Sequence, residues 1–361
     1  MVSMFRVSTK ATSTGVDIRV PPEWVVTSQA VQGRKCIGTH SGTFHCDEAL
    51  ACAMLKLLPA WSDAVVVRTR DEAELAKCDV VVDVGGIYDP DTLRFDHHQK
   101  AFSDTLSEES FTTKLSSAGL VYRHFGREIL HHMVEGSDMP KETVDKNLFV
   151  RVYRNFVEHV DAIDNGIKVS EGSSKYQISS HLSARVGNLN PRWTEAQTED
   201  GPTSPNERFK AAMSLTSGEF VENILYLVEC WWPARAIVKE SIEGRMEAHP
   251  SGKVVVLTGY CPWKGHLAEL EKEMGLGDEI KFVLYSEGGS GRWRIQTVAV
   301  EEGSFDFRLG LPQEWRGLRD AELAKVAGIE GCFFVHANGF IGGNLTKEGA
   351  LAMASKALQM E

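Results

Sequence analysis

Short apolar runs alternate with amphipathic stretches from Lys35 to about Asn165. Residues 36–39, 64–68, 79–84 and 94–96 read as strands, whereas 47–58, 116–134 and 142–163 carry apolar side chains at helical spacing. This alternation predicts an α/β sheet domain, with the polar residues that interrupt it lying at strand and helix ends. A stretch rich in Thr, Pro, Gly and acids, 195–206, reads as an exposed loop. Residues 207–247 then return to helical spacing, interrupted at Trp232-Pro233, which predicts one long helix or a bent pair. Strand-like runs at 254–257, 281–285, 292–300 and 332–336, with helices at 319–327 and 347–358, predict a second, smaller α/β domain. The expected organisation is a disordered or targeting tail over 1–34, a first domain over 35–190, loop and linking helices over 191–250, and a C-terminal domain over 251–361.

Composition narrows the class. With 361 residues and 42% apolar content the chain can bury two cores. It holds no apolar run of the length a membrane span requires, so no membrane partner is expected. Seven cysteines form no CxxC pair, which argues against zinc knuckles and a disulfide framework and favours a reducing compartment. Residues 1–15 contain Arg6 and Lys10, several Ser and Thr and no acid, and so resemble a mitochondrial transit peptide. The formal charge of −11 speaks against coating nucleic acid through bulk electrostatics. It is compatible with a nuclease, because carboxylates that hold divalent cations give a loaded site that attracts phosphate.

The candidate chemistry lies in four clusters of the first domain: His40, His45 and Asp47; Asp83; Asp96, His97 and His98; and His159, Asp161 and Asp164, of which His159 reads as a surface or supporting residue. In an open α/β sheet, ligands bind at the carboxyl ends of strands, where groups distant in sequence converge. Mixed imidazole and carboxylate ligation without thiolate suits Mn²⁺, with Mg²⁺ as the second choice. Two ions about 3.5–4 Å apart need a bridging carboxylate. Asp83 is the candidate bridge, because it ends the apolar run Val80-Val81-Val82 and its burial is costly unless it is paired or metal-bound. His45 and Asp47 stand near the start of a helix, whose N-terminus also favours a phosphate. Asp161 and Asp164 are three apart and share a helix face just before Asn165-Gly166, so either is a candidate ligand.

These clusters, in this order, resemble the motifs of the DHH phosphoesterase superfamily. The strings GTHSGTFHCDEALA, VVDVGGIYDP, RFDHHQ, TKLSSAGLVY, VDAIDNG, LNPRW, CPWKGHL, RWRIQTV, WRGLRD and FVHANGFIGG resemble the melanocyte proliferating gene one family over nearly the whole chain from Lys35. The resemblance implies a DHH-type open parallel sheet in the first domain and a substrate-binding second domain. It also implies 3′ to 5′ RNA exonuclease activity on single-stranded 3′ ends, and residence in mitochondria and nucleus. Carried over individually, His40 or His45, Asp47, Asp83, Asp96, His97 and Asp161 or Asp164 match metal positions, and His98 a position near the phosphate. Two departures stand out. His40 lies seven residues before Asp47, and His45 takes the place of the usual first aspartate; the GGH-like signature of related C-terminal domains becomes Gly342-Gly343-Asn344.

Asp96, His97 and His98 are thus the candidate catalytic residues. Arg292, Arg294 and His336, with a Gly342-Gly343 turn, are candidates for contacts to the substrate backbone. Arg185, Asn188 and Asn190 form a weaker set. The expected mechanism is in-line attack by a water activated between two ions. Two rival readings are a small-molecule phosphohydrolase acting on pyrophosphate, phosphoadenosine phosphate or a dinucleotide, and a catalytically silent binding module.

Overall fold

A computed structural model describes residues 24–108, 111–172, 175–195, 201, 203–301, 304 and 306–360. The chain divides into two compact units at Leu227/Val228. The transit-peptide-like residues 1–15 lie outside the described residues, as do 196–200 and 202 of the expected loop.

The sheet of the first unit is built from β1 (Val26–Thr27), β2 (Cys36–Thr39), β3 (Val65–Arg68), β4 (Val80–Val82), β5 (Tyr88–Asp89) and β6 (Arg94–Phe95). Their order is β1-β3-β2-β4-β6-β5, parallel throughout except for β5, which runs antiparallel to β6 at the edge. β1 corrects the expected tail boundary at residue 34. Val25 and Val26 are β-branched and extend the sheet beside β3, Trp24 is buried, and the Ala30 N–H donates to Glu74 Oε2 at 2.9 Å.

One face of this sheet packs Cys36, Val65, Val67, Leu75, Cys78 and Val81. The helix Cys46–Lys56 is buried along its whole length, which its run of Ala49, Ala51, Cys52 and Ala53 allows by letting neighbours approach closely. It packs against the helices Ser117–Met133 and Pro205–Tyr226. Even Lys56 is buried, its Nζ donating to the carbonyls of Ser62 (2.6 Å) and Ala64 (2.7 Å). The helix expected at 142–163 runs from Lys141 to Asp164, but with two π-helical turns, Val144–Leu148 and Tyr153–Val157.

The second unit contains β7 (Val254–Val256), β8 (Phe282–Ser286), β9 (Trp293–Thr297), β10 (Cys332–Val335) and β11 (Ile341–Asn344) in the order β10-β11-β9-β8-β7. Only the β7–β8 pair is parallel. Leu284, Ile295 and Val335 face a core with Trp315, Leu323 and Met353. Val255, Val283 and Tyr285 face Val238 and Leu267, from the helices Trp232–Glu243 and Lys264–Met274. Pro233 opens the Trp232–Glu243 helix in its first turn, where a missing N–H costs nothing.

The expected Gly342-Gly343 turn is instead the interior of β11. Packing explains both glycines: a Cβ at 342 would meet Val335 Cγ2 at 3.0 Å, and one at 343 would meet the Phe333 ring at 2.4 Å. Asn344, at the place of the histidine in GGH-like signatures, is fully buried. Its Nδ2 donates to the Glu330 carbonyl at 2.8 Å and its Oδ1 accepts from the Thr346 N–H at 3.0 Å, so it fixes the turn after β11.

Candidate metal centre

β2, β4 and β6 are adjacent and parallel, so their carboxyl ends share one edge of the sheet. The residues that follow them are His40, Asp83 and Asp96-His97-His98. The topology thereby brings together three motifs spread over some sixty positions. Asp83 holds a left-handed backbone, φ +58°, which aspartate tolerates better than most residues. Strained conformations of this kind persist where the surroundings impose them, commonly at functional sites.

Asp83 is the hub. Its Oδ2 lies 3.3 Å from His40 Nε2, its Oδ1 lies 3.4 Å from His97 Nε2 and 3.6 Å from His98 Nδ1, and Ser117 Oγ donates to Oδ1 at 3.2 Å. Burial alone would raise the Asp83 pKa, but the close approach of the two imidazoles holds the carboxyl well below the usual range. His40 Nε2 also lies 3.1 Å from Glu48 Oε1, while its Nδ1 faces the Ser41 carbonyl at 3.2 Å. Burial would lower the His40 pKa, yet Asp83 and Glu48 lift it to about 10. Burial would likewise lower the His97 pKa, and Asp164 and Asp83 lift it to about 9.

His97 Nε2 stands 3.1 Å from Asp164 Oδ2 and 4.0 Å from Asp47 Oδ2, besides its approach to Asp83. Asp47 is fully buried, and neither of its oxygens has a hydrogen-bond partner among the described residues. Burial, then the charges of Asp83, Asp164 and Glu48, push its pKa well above the ordinary carboxylate value. An orphaned carboxylate in such company fits a cation in its immediate surroundings.

The donor atoms fall into three overlapping groups, each lying within 4.8 Å: His40, His45, Glu48 and Asp83; Asp83, His97 and His98; and His45, Asp47 and Asp164. Asp83 belongs to the first two, and His45 joins the first to the third. Oxygen and imidazole donors shared in this manner fit divalent cations.

Glu48 was missed by sequence reasoning. Its signal was the capping-box spacing from His45, the residue before the helix Cys46–Lys56; both Glu48 oxygens accept from the His45 N–H, at 2.8 and 3.0 Å. The loop before it is pinned by Asn190, whose Oδ1 accepts from the Phe44 N–H (3.0 Å) and whose Nδ2 donates to the Phe44 carbonyl (2.8 Å). Arg68, buried over the Phe209 ring at 4.6 Å, donates to the Gly42 carbonyl at 2.7 Å.

Two expected ligands are engaged elsewhere. Asp161 is fully buried, and its carboxylate accepts from Ser116 N–H (3.0 Å), Ser116 Oγ (2.7 Å), Gly119 N–H (3.0 Å) and Tyr153 O–H (2.8 Å). Burial lifts its pKa to about 7 against the pull of those donors. It ties helices together, and of the pair only Asp164 joins the ligand groups. Asp96 accepts from Gly86 N–H (2.6 Å) at Oδ2 and from His98 N–H (3.0 Å) at Oδ1, with His98 Nδ1 2.7 Å from Oδ1. It thus orients His98, whose side chain is 64% exposed.

A cleft of about 600 Å³ opens over these groups, lined by Asp83, His97, His98 and Asp164, with Phe44, Val160 and Ile163 as apolar wall and Lys114 and His181 at its margin. Neither Lys114 nor His181 carried a sequence signal. Arg185 pairs with Glu219 through both guanidinium nitrogens, and Asn188 caps a helix. In the second unit Arg292 precedes β9 and Arg294 lies within it, and His336 is exposed, with Nδ1 accepting from the Asn338 N–H at 3.1 Å.

Residues 36–358 match the model of the MYG1_exonuc family, described as Uncharacterised protein family (UPF0160). The chain belongs to that family. Among members of the MYG1_exonuc family, the chain is 50% identical to MYG1 exonuclease of Homo sapiens over 330 residues, covering 89% of this chain and 85% of that one. It is 47% identical to a MYG1 protein of Caenorhabditis elegans, covering 90% and 95%, and 45% identical to MYG1 protein of Dictyostelium discoideum, covering 89% and 96%. Among solved structures, it aligns with RecJ in complex with Mn²⁺ from Thermus thermophilus at 13% identity and a TM-score of 0.23, covering 90% of this chain and 52% of that one. A score that low carries no argument. The family expected from the motifs is therefore the one matched.

Proposed function

We propose that the protein is a metal-dependent exonuclease that hydrolyses single-stranded RNA from its 3′ end. The observation that carries this reading is Asp83, one carboxylate common to two groups of cation donors on the floor of an open cleft. A human relative named MYG1 exonuclease supports the same class. Mn²⁺ is the preferred ion and Mg²⁺ the alternative, because imidazoles contribute to every group. Such ions, held by these groups, would supply a water acidified for attack and would offset charge that develops on phosphorus.

The residues of the chain supply the rest. Asp83, with His40 and Glu48 on one side and His97 on the other, fixes the donor set; Asp47 and Asp164 extend it. Asp96 holds the His98 ring at the mouth of the cleft, where it can donate to a phosphate oxygen, and Lys114 adds positive charge along the path of the backbone. Phe44, Val160 and Ile163 keep water from part of the wall.

The test is degradation of a 5′-labelled short RNA with Mn²⁺, with chelator, and by Asp83→Asn, beside pyrophosphate and a matching DNA. The reading expects a metal-dependent ladder from the 3′ end, lost in the variant. Phosphate release from pyrophosphate with the RNA intact would replace it with a small-molecule phosphohydrolase.

A further inference from the structure

We propose that the second unit carries a nucleobase-stacking site at the margin of the helix-covered face of its sheet, formed by Tyr260, Phe334 and Arg294, with the buried Tyr285 supporting Tyr260. The choice of a nucleic-acid strand as its occupant rests on the nuclease reading above.

The register of four strands places the site. Phe334 of β10 is opposite Gly343 of β11, Gly343 is opposite Arg294 of β9, and Arg294 is opposite Tyr285 of β8. Directly paired residues share a face, so these four form one row across the sheet. The adjacent row, Val335, Gly342, Ile295 and Leu284, points the other way into the core. At its Tyr285 end the first row is buried against Val238 and Leu267; beside it lies a concavity of about 520 Å³, lined by Tyr260, Tyr285, Glu287, Arg294, Phe334 and Ile341.

The composition of this concavity is that of a site for a flat, polar-edged ring. Tyr260 leaves 69% of its surface exposed and meets Tyr285 edge to face, with ring centroids 5.2 Å apart. Tyr285 is held by its O–H, which donates to Gln296 Oε1 at 2.9 Å. The Arg294 guanidinium is clamped by Glu287 and lies over Phe334 at 4.5 Å and Phe333 at 5.1 Å, which makes it a fixed, planar surface. The Arg292 guanidinium lies 5.1 Å from the Phe333 centroid and has no ion-pair partner among the described residues, so its charge is available to a phosphate. A purely apolar ligand has no use for that pair of guanidiniums. A base stacked on Tyr260, with its phosphate toward Arg292, uses both the exposed ring and the charge.

The test uses the full chain in chelator, so that binding is read without hydrolysis. Fluorescence anisotropy compares a labelled pentaribonucleotide with the same strand made abasic. The proposal expects the wild type to prefer the base-bearing strand, Tyr260→Ala to weaken it about tenfold and erase the preference, and Tyr260→Phe to retain both. Equal binding of the two strands by the wild type, or unchanged binding by Tyr260→Ala, would overturn it. Adenosine monophosphate should displace the strand only weakly; displacement as effective as by unlabelled strand would overturn a strand as the occupant. A wild type that discriminates the two strands in chelator yet cuts no RNA in Mn²⁺ would retain this site and remove the nuclease reading instead.

Discussion

The imidazoles of His40 and His97 connect the site to pH. Their folded pKa values, about 10 and about 9, lie above the unfolded value of about 6.5. In metal-free protein their charged forms therefore contribute stability that is fully present below about pH 6.5 and is lost as the pH rises through 9 and then 10. Metal ligation requires neutral imidazole, so Mn²⁺ should displace about two protons at roughly pH 7.5 and bind more tightly as the pH rises. Calorimetry of Mn²⁺ binding in buffers of different ionisation enthalpy counts those protons; release of none would remove these histidines from the ligand set.

Two aspartates of one helix call for opposite outcomes. Asp161→Ala leaves two backbone N–H groups and two hydroxyls without their buried acceptor, which should cost about 3 kcal/mol of stability. Its effect on activity should vanish where the variant remains folded. Asp164→Ala should instead cost less stability, since a contact with His97 is what is lost, and lower activity about a hundredfold or more, beyond the loss typical of a residue that merely orients a ligand. Denaturant melts beside initial rates distinguish the two.

At the scale of elements, the strands after which chemistry resides were readable because a short apolar run that ends on Asp or His buries a polar group no packing requirement calls for. That residues after separate strands converge was expected of an α/β sheet, but the adjacency of β2, β4 and β6 came from the structure alone. β1 and β5 escaped because, unlike the equally short β6, neither ends on a cluster of Asp and His, and β11 because Ile341-Gly342-Gly343-Asn344 has the composition of a turn; only the neighbouring Val335 and Phe333 side chains explain its glycines. The separation of Asp161 from Asp164 was unreadable, since both lie on the same helix face and only Gly119 on the crossing helix decides which is enclosed. A Cβ at 119 would stand 2.3 Å from Asp161 Oδ2. Gly119→Ala should accordingly destabilise by about 3 kcal/mol by forcing the Ser117–Met133 helix off the Glu158–Asp164 helix. Thermal melts check this; a shift of less than a degree would refute the close crossing.

For the whole molecule, all the donors of the candidate metal centre belong to the first unit. Asp47, Glu48, Asp83 and Asp164 crowd there, and a cation relieves their repulsion. Mn²⁺ at a hundred times its dissociation constant should add about 2.7 kcal/mol of stability. Amide hydrogen exchange locates the gain: protection should rise in β2, β4 and the helix Cys46–Lys56, and stay constant in β7 to β11. The formal charge of −11 is then partly a property of the unloaded state.

Phe333 and Gly343 leave a constraint on ancestry. A side chain gained first at 343 would strike the ring at 2.4 Å, whereas a smaller residue gained first at 333 would meet no such obstacle. A lineage that alters both positions has its easier route through 333 first, because a step taken first at 343 requires the Phe333 ring to swing aside.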